Sequence, residues 1–536
     1  LLHPHAPPPR TTPPQPARSR IRASPPSPAS QAGDSVLAAG GTAADAAIAV
    51  DAVLGDVLPA TSGPGGDLFA IVHGPGLDAP VAINSSGRAG SGVSADVLRD
   101  RGLGDIPYRS PWSVTVPGCV DGWESLTARF GRLELADVLS PAIRIATNGF
   151  AVSSELADGL TRIHDLIGGQ PSSPALYPGG APPAAGDVLT RPRFAEVLAG
   201  IGSAGRSAFY EGAVGAGISA ATRGAVTPDD LARPQADWID PVGLDLFDRR
   251  AWTIPPNSQG WLTLATLAIF EALDPPTDPN DPLFYHLLIE AYRSVAWERA
   301  DTVSDPSTAP PTASLLDPAR LEERAARISR TNTTRWPMPA PAPGGTAYMT
   351  VLDGTGLGVS FIQSNFAGIG SGLSAGDTGV WLHNRGAGFN LIPGHRNEYT
   401  PGHRPLHTLS PTLWTKDGEL ALLLGTRGGD QQPQFLSQFA ALRFHAHHCI
   451  DDSQPVPRWN MEQPQPGTDS TVRVEDRIAS STLAGIRERG HAVEQARSYE
   501  PGWGPISAID LENAGGTWKG SADPRVSTAS ALSTRA

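Results

Sequence analysis

Apolar and polar positions along this chain change period several times, and each change marks an element. Residues 31–39 read as a helix that stops at Gly40–Gly41. Thr42, with Asp45 three residues on, forms a capping-box start for a second, alanine-rich helix. Asp67–His73 (DLFAIVH) and Pro80–Asn84 are short apolar runs and read as buried strands. Helical spacing follows over 141–148, 192–201, 262–273 and 282–300. Residues 303–343 form a Pro/Ser/Thr/Ala-rich connection around one charged helix at 318–328, and run into the extended segment RWPMPAPAPGG (335–345). Strands dominate after it, at 347–352, 358–364, 409–415 and 419–425. The pattern closes with a helix near 474–489, a strand and a Gly-rich tail. Strands and helices come in mixed runs rather than regular alternation, which predicts a layered α+β class.

One of these runs carries chemistry. Asp353-Gly354-Thr355-Gly356 is a hairpin turn signal between two strand-like runs. A hairpin centred on Thr355 places Thr346 opposite Ser364. Directly opposed residues point to one face, with Cβ atoms about 4.5–5.5 Å apart. Thr346 follows Gly344–Gly345 and opens the first strand. If the chain cuts itself between Gly345 and Thr346, the threonine hydroxyl becomes a nucleophile and its freed amine the general base. A free α-amine titrates near ~7.7–8.0, so it is available as a base at neutral pH. Ser364 would orient the Thr346 oxygen. The alternative is a threonine that simply begins a strand after a turn.

Composition narrows the function. The net charge is −13 and apolar residues make up 40% of the chain, which suits a globular protein and argues against nucleic-acid or anionic-membrane binding. The lysines are Lys416 and Lys519, so a Schiff-base mechanism has few candidates. Cys119 and Cys449 do not make a disulfide framework. No apolar run reaches the length of a membrane span. Residues 1–28 are Pro-rich, with four arginines and no acid, and are expected to be a disordered tail. The start lacks a secretory pattern, which favours a cytoplasmic location over the periplasmic or secreted alternative that a removed leader would allow.

The wider sequence resembles the γ-glutamyltransferase family of N-terminal-nucleophile hydrolases from about Ala29 to Arg525. The matching segments include AAGGTAADAAIAVDAVLGDVLPATSGPGGDLF (38–69), SVTVPGCVDGWESL (113–126), FYEGAV (209–214), IPPNSQG (254–260), the hairpin, RPLHTLSPTLW (404–414), GTRGGD (425–430), VPRW (456–459), RGHAVE (489–494) and GSADPR (520–525). The resemblance implies a four-layer αββα fold and self-cleavage at Gly345–Thr346. A large chain 1–345 and a small chain 346–536, which opens with the nucleophile, would stay associated, with a homo-oligomer conceivable. The reaction implied is acyl transfer from a small-molecule amide to water or an amine, without cofactor or metal. By position, Thr346 matches the nucleophile, Ser364 its supporting hydroxyl, and Gly428 and Gly429 the diglycine of the oxyanion hole. Arg88 matches the arginine that binds the substrate carboxylate.

Departures from the family pattern bear on the substrate. Arg385 and Gly388, in NRGAGFN (384–390), stand where amide and carboxylate groups would hold a γ-glutamyl ammonium. Phe366 replaces an asparagine with the same task, and His407 and Thr408 replace a serine pair beside the carboxylate. The segment from Phe389 to Arg404 is short, so the lid of some members is expected to be missing. These changes favour an acyl group with a carboxylate but no α-amine, as in glutaryl-type acylases or oxamate-type amidohydrolases. An unprocessed, inactive relative is the other alternative. HAHHC (445–449) has metal-binding residue types without a specific spacing, and GPGGD (63–67) precedes a strand, so it reads as a close-packing turn rather than a phosphate loop.

Overall fold

The computed structural model describes residues 20–24, 27–337, 345–461, 471–512, 518–526 and 530–534. Residues 1–19, most of the extended segment before Gly345, and the Gly-rich stretch 513–517 lie outside the described residues.

Two mainly antiparallel sheets stack between two helix layers. The first has seven strands, in the order Ser530–Thr534, Arg20–Ser24, Gly345–Leu352, Gly358–Phe366, Asp67–His73, Val81–Ser85 and Asp237–Ile239. The second has six, in the order Lys519–Ala522, Ile506–Asp510, Glu419–Thr426, Thr412–Lys416, Arg249–Thr253 and Val242–Leu246. Both sheets combine strands from before and after Thr346.

Strand alternation sorts the side chains into three apolar layers. Ala347, Met349, Val351, Val359 and Phe361 face the helix Ala43–Val57, on which Leu135–Asn148 packs in turn. Tyr348, Leu352, Ile362, Phe69 and Ile71 face Leu413, Leu423 and Ile509 between the sheets. Leu422, Leu424 and Trp414 face the helices Trp261–Ala272, Pro282–Ala296 and Gln432–Ala440. The order helix, sheet, sheet, helix follows directly from these layers.

Most expected elements form, and the differences have local causes. The Thr42–Asp45 capping box is present. Arg20–Ser24, expected within the disordered tail, is instead a strand, because the open edge of Gly345–Leu352 supplies backbone partners at Thr350–Leu352. The expected helix at 474–489 starts later, at Ser480. Val472–Glu475 is a strand, paired with Trp459–Met461 and Val493–Ala496. The expected strand at 409–415 begins at Thr412, since Leu409 N–H and Ser410 N–H donate to the side chains of His407 and Gln432. The segment after Phe389 packs as a compact unit: Phe389, Leu391 and Tyr399 bury against Ala89, Leu98 and Ile106.

A buried histidine pair ties the chain leading toward Gly345 to the helix Pro282–Ala296. His286 Nε2 donates to Ser329 O at 2.7 Å, and its Nδ1 accepts from His491 Nε2 at 2.8 Å. Thr334 N–H adds a bond to Glu290 at 2.8 Å. Burial lowers both histidine pKa values, that of His491 to about 3. The unfolded chain would take up these protons near ~6.5. The pair's contribution is therefore intact above that pH and lost progressively as pH falls below it. Urea unfolding at pH 7 and pH 5 should show a loss of about 1–2 kcal/mol from His491, with His286 adding in the same direction. His491→Gln should flatten that dependence.

Candidate active site

Thr346 and Ser364 lie at matching ends of the central hairpin. Register runs unbroken from Gly358↔Leu352 to Gln363↔Ala347, as centring on Thr355 requires. It then shifts, so that Phe366 pairs with Gly345. Ser364 and Asn365 together oppose Thr346, which is a β-bulge. The Thr346 hydroxyl still reaches Ser364 Oγ, at 3.5 Å. Ser364 Oγ also accepts the Phe366 N–H at 2.7 Å. Asn365 anchors the bulge: its N–H donates to Thr61 O at 3.0 Å and its amide to Pro59 O and Ser62 O at 3.2 Å. Gly65 and Gly66 allow the 63–67 turn to close on this point. A Cβ on Gly66 would lie 2.5 Å from Ser364 O, and one on Gly65 would lie 2.1 Å from Trp381 O.

Alternation puts Thr346, Ser364 and Asp67 on the face turned toward the second sheet, with Tyr348, Ile362 and Phe69. Asp67 pairs directly opposite Ser364 and is fully buried. Its carboxylate accepts Gly87 N–H at 2.8 Å and His407 Nε2–H at 3.1 Å. His383 Nδ1 lies 3.4 Å away and Arg385 Nε 3.8 Å away. Burial alone would raise the Asp67 pKa, but His383 and then His407 hold it well below the usual carboxylate range. Burial, with Arg385 nearby, pushes His407 down to about 3 despite its bond to Asp67. His407 is therefore a neutral donor at Nε2, and its Nδ1 accepts Leu409 N–H.

Arg385 is the cation of this cluster. It is fully buried and stacks over Phe366, with its guanidinium carbon 3.9 Å from the ring centroid. Nη1 donates to Thr408 Oγ1 at 3.3 Å. Among the described residues, Nε and Nη2 have no hydrogen-bond acceptor. Burial pulls its pKa down to about 9, opposed by Asp67. Phe366 has φ of 71°, an uncommon conformation for an aromatic residue. It is held there by Ser364 on one side and by Tyr108, whose ring centroid is 5.6 Å away, on the other.

Arg88 is placed differently. Its guanidinium donates to Asp237 at 2.6 Å and to Pro234 O at 3.2 Å, so its side-chain contacts fall on the 234–237 segment. Arg404 shares Asp237, also at 2.6 Å. Gly388 leaves no room for an acid: a Cβ there would lie 2.6 Å from Leu406 O.

The diglycine arrives from the second sheet. Tyr348, two residues after Thr346, packs on Gly425, where a Cβ would lie 2.1 Å from its ring. Three residues on, Gly428 and Gly429 both have positive φ, 133° and 60°. Gly428 O accepts Gln431 N–H at 3.1 Å, and Gly429 O accepts Gln259 Nε2 at 3.0 Å. Gln259 Nε2 also donates to Thr408 O at 2.9 Å, which joins this loop to the Arg385 cluster.

The sequence reading assigned no role to Asp67, His383, Tyr108 or Gln259. Asp67 carried a usable signal, since a carboxylate opening the all-apolar strand DLFAIVH requires a buried partner. His383 carried none. The HAHHC side chains disperse: His445 bonds the Pro275 and Pro276 carbonyls, and Cys449 bonds Asp452.

Two facing sheets enclosed by helices, with a threonine opening a central strand on the inner face, define an N-terminal-nucleophile hydrolase. The cephalosporin acylase of Bacillus halodurans superimposes with a TM-score of 0.88, at 29% identity over 99% of each chain. The chain belongs to the gamma-glutamyltranspeptidase family, whose model matches residues 29–533. It is 36% identical to the glutathione hydrolase-like YwrD proenzyme of Bacillus subtilis, over 93% of this chain and 95% of that one. It is 31% identical to the oxamate amidohydrolase proenzyme of Klebsiella pneumoniae, over 84% of this chain and 87% of that one. It is an amidohydrolase or acyltransferase of that family, as the sequence segments indicated. Among the described residues, no helix is long and apolar enough to cross a membrane.

Proposed function

We propose that this chain cuts itself between Gly345 and Thr346 and then hydrolyses or transfers carboxylate-bearing acyl groups that lack an α-amine. The carrying observation is the Thr346–Ser364 hydroxyl pair beside Arg385, whose Nε and Nη2 await an acceptor. In processing, Thr346 Oγ1 attacks the Gly345 carbonyl carbon and the C–N bond breaks to give an ester. That step frees the Thr346 amine, which takes the hydroxyl proton, and water then hydrolyses the ester to release the Gly345 carboxylate and the Thr346 hydroxyl. Chains 1–345 and 346–536 stay associated through their shared sheets.

In turnover, Thr346 Oγ1 attacks the substrate amide carbon and its proton passes to the Thr346 amine. Backbone N–H groups of Gly428 and Gly429 receive the developing oxyanion. The leaving amine takes the proton as its C–N bond breaks. Water or an acceptor amine then reverses the sequence on the ester. Ser364 orients the nucleophile. Arg385, steadied by Thr408 and by the Asp67–His407 pair, takes the acyl carboxylate. Arg88 remains a candidate for a carboxylate farther out. A γ-glutamyl ammonium would instead meet Arg385, with Asp67 already occupied by Gly87 and His407.

The names of the acylase and oxamate amidohydrolase relatives support this substrate class. Its test is the ratio of kcat/KM for glutaryl anilide to that for γ-glutamyl anilide, measured on protein whose smaller fragment starts at Thr346. Glutaryl preference is expected. Strong γ-glutamyl preference would defeat the reading of Arg385 and leave the processing assignment intact.

A further inference from the structure

We propose that Gln259 is the positioning residue of the oxyanion loop, so that a side chain of the large chain sets the catalytic rate of a hole built on the small one. This rests on the assignment of Gly428 and Gly429 as oxyanion donors.

Gln259 is fully buried, and its amide is completely used. Arg299 Nη1 can only donate, and it lies 3.2 Å from Oε1. That fixes the amide orientation and turns Nε2 toward two carbonyls, Thr408 O at 2.9 Å and Gly429 O at 3.0 Å. Arg299 also sits 3.7 Å from Asp430. The loop needs such a brace. Gly428 and Gly429 have no side chains to lock them, and both stand at positive φ, where glycine moves freely. Gln431 N–H holds the Gly428 carbonyl, and Gln259 holds the next one. The first bond fixes the peptide plane that carries Gly429 N–H, and the second fixes the plane that follows it, so the Gly429 hinge is clamped on both sides and its N–H is held in one direction. Oxyanion stabilisation depends on donors aimed before the charge develops.

The brace meets the carboxylate pocket at one point, Thr408 O, and the neighbouring backbone keeps bonds that do not use the Gln259 side chain. The backbone of His407 is tied independently, by its N–H to Asn257 O at 2.8 Å and by its carbonyl to Gln259 N–H at 3.0 Å. Loss of the Gln259 amide should therefore move kcat much more than KM.

The test uses the processed enzyme with Gln259→Glu, Gln259→Ala and Gly428→Ala. Gln259→Glu keeps the shape and Arg299 contact but turns both donors into acceptors facing carbonyls. Each variant is assayed on glutaryl anilide and titrated with a carboxyalkyl boronic acid. The Thr346 oxygen adds to its boron, and the proton passes to the Thr346 amine, giving a tetrahedral anion that probes the oxyanion hole. For both Gln259 variants kcat should fall about hundredfold. Boronate affinity should weaken in step, while KM stays within about threefold of the parent. A Gln259→Glu enzyme that keeps kcat and boronate affinity overturns the proposal. If Gly428→Ala loses both and Gln259→Glu loses neither, only the role of Gln259 fails. If Gly428→Ala also keeps both, the oxyanion assignment fails with it. Should Gln259→Glu not accumulate as folded protein, Gln259→Asn, one methylene shorter, gives the same readouts.

Discussion

Thr346→Ala should give a single 55.9 kDa band on a denaturing gel and no measurable amide hydrolysis. The parent should give two bands, with Thr346 as the first residue of the smaller. The effect is large because one atom does two jobs. In the proposed mechanism Thr346 Oγ1 attacks the Gly345 carbonyl in processing and the substrate carbonyl in turnover. Alanine keeps the strand, since Thr346 is buried and the ladder from Ala347 onward uses backbone groups alone. Folding should therefore survive while turnover falls by on the order of 10⁴-fold or more. Thr346→Ser keeps the hydroxyl and should still process, more slowly. A Thr346→Ala protein that still yields two fragments would remove Thr346 from the chemistry altogether.

Arg385→Gln is the second large effect. It should lower kcat/KM for glutaryl anilide about hundredfold, on the order of 3 kcal/mol for a charge-assisted pair. Hydrolysis of the uncharged butyryl anilide should change little, so the preference for the carboxylate disappears. Glutamine at this position does not create a γ-glutamyl enzyme. An ammonium needs an anion, and an acid at Gly388 is excluded by Leu406 O, 2.6 Å from where its Cβ would stand. The Gly388→Asp/Arg385→Gln pair should thus lose stability rather than gain γ-glutamyl turnover. The checks are substrate ratios for the single variant and thermal unfolding for the pair. Retention of glutaryl preference by Arg385→Gln would return the carboxylate to another residue, with Arg88 first in line.

The sequence made the nucleophile hairpin legible because its information is local. A turn signal and two alternating runs fix which residues oppose one another, and Thr346 and Ser364 fall within one hairpin. The bulge at Ser364–Asn365 was not legible. It depends on Asn365 finding the Pro59, Thr61 and Ser62 carbonyls about three hundred residues away in the chain. The layered class was readable from element order, and the αββα arrangement from family resemblance. The strand Arg20–Ser24 was hidden because its partners lie at 350–352 and 530–534, and a Pro-rich arginine segment has no strand signature of its own. Arg385 was visible as an anomaly at its position, but its ring stacking and free donors needed coordinates. Asp67 and Gln259 stood in segments already singled out, and only folding showed what each one touches.

The interleaving of the two sheets has a consequence for the life of the molecule. Each sheet is completed by strands from both sides of residue 346, so the two pieces share their cores. Before processing, unfolding is a one-molecule event that can be retraced. Afterward the same native contacts join two polypeptides, and any return from the unfolded state becomes a collision between them. Recovery from denaturant should then depend on protein concentration for the processed enzyme, and not for uncut Thr346→Ala. The cut leaves the architecture in place but erases the route back to it, so the mature enzyme's persistence is governed by how slowly it opens.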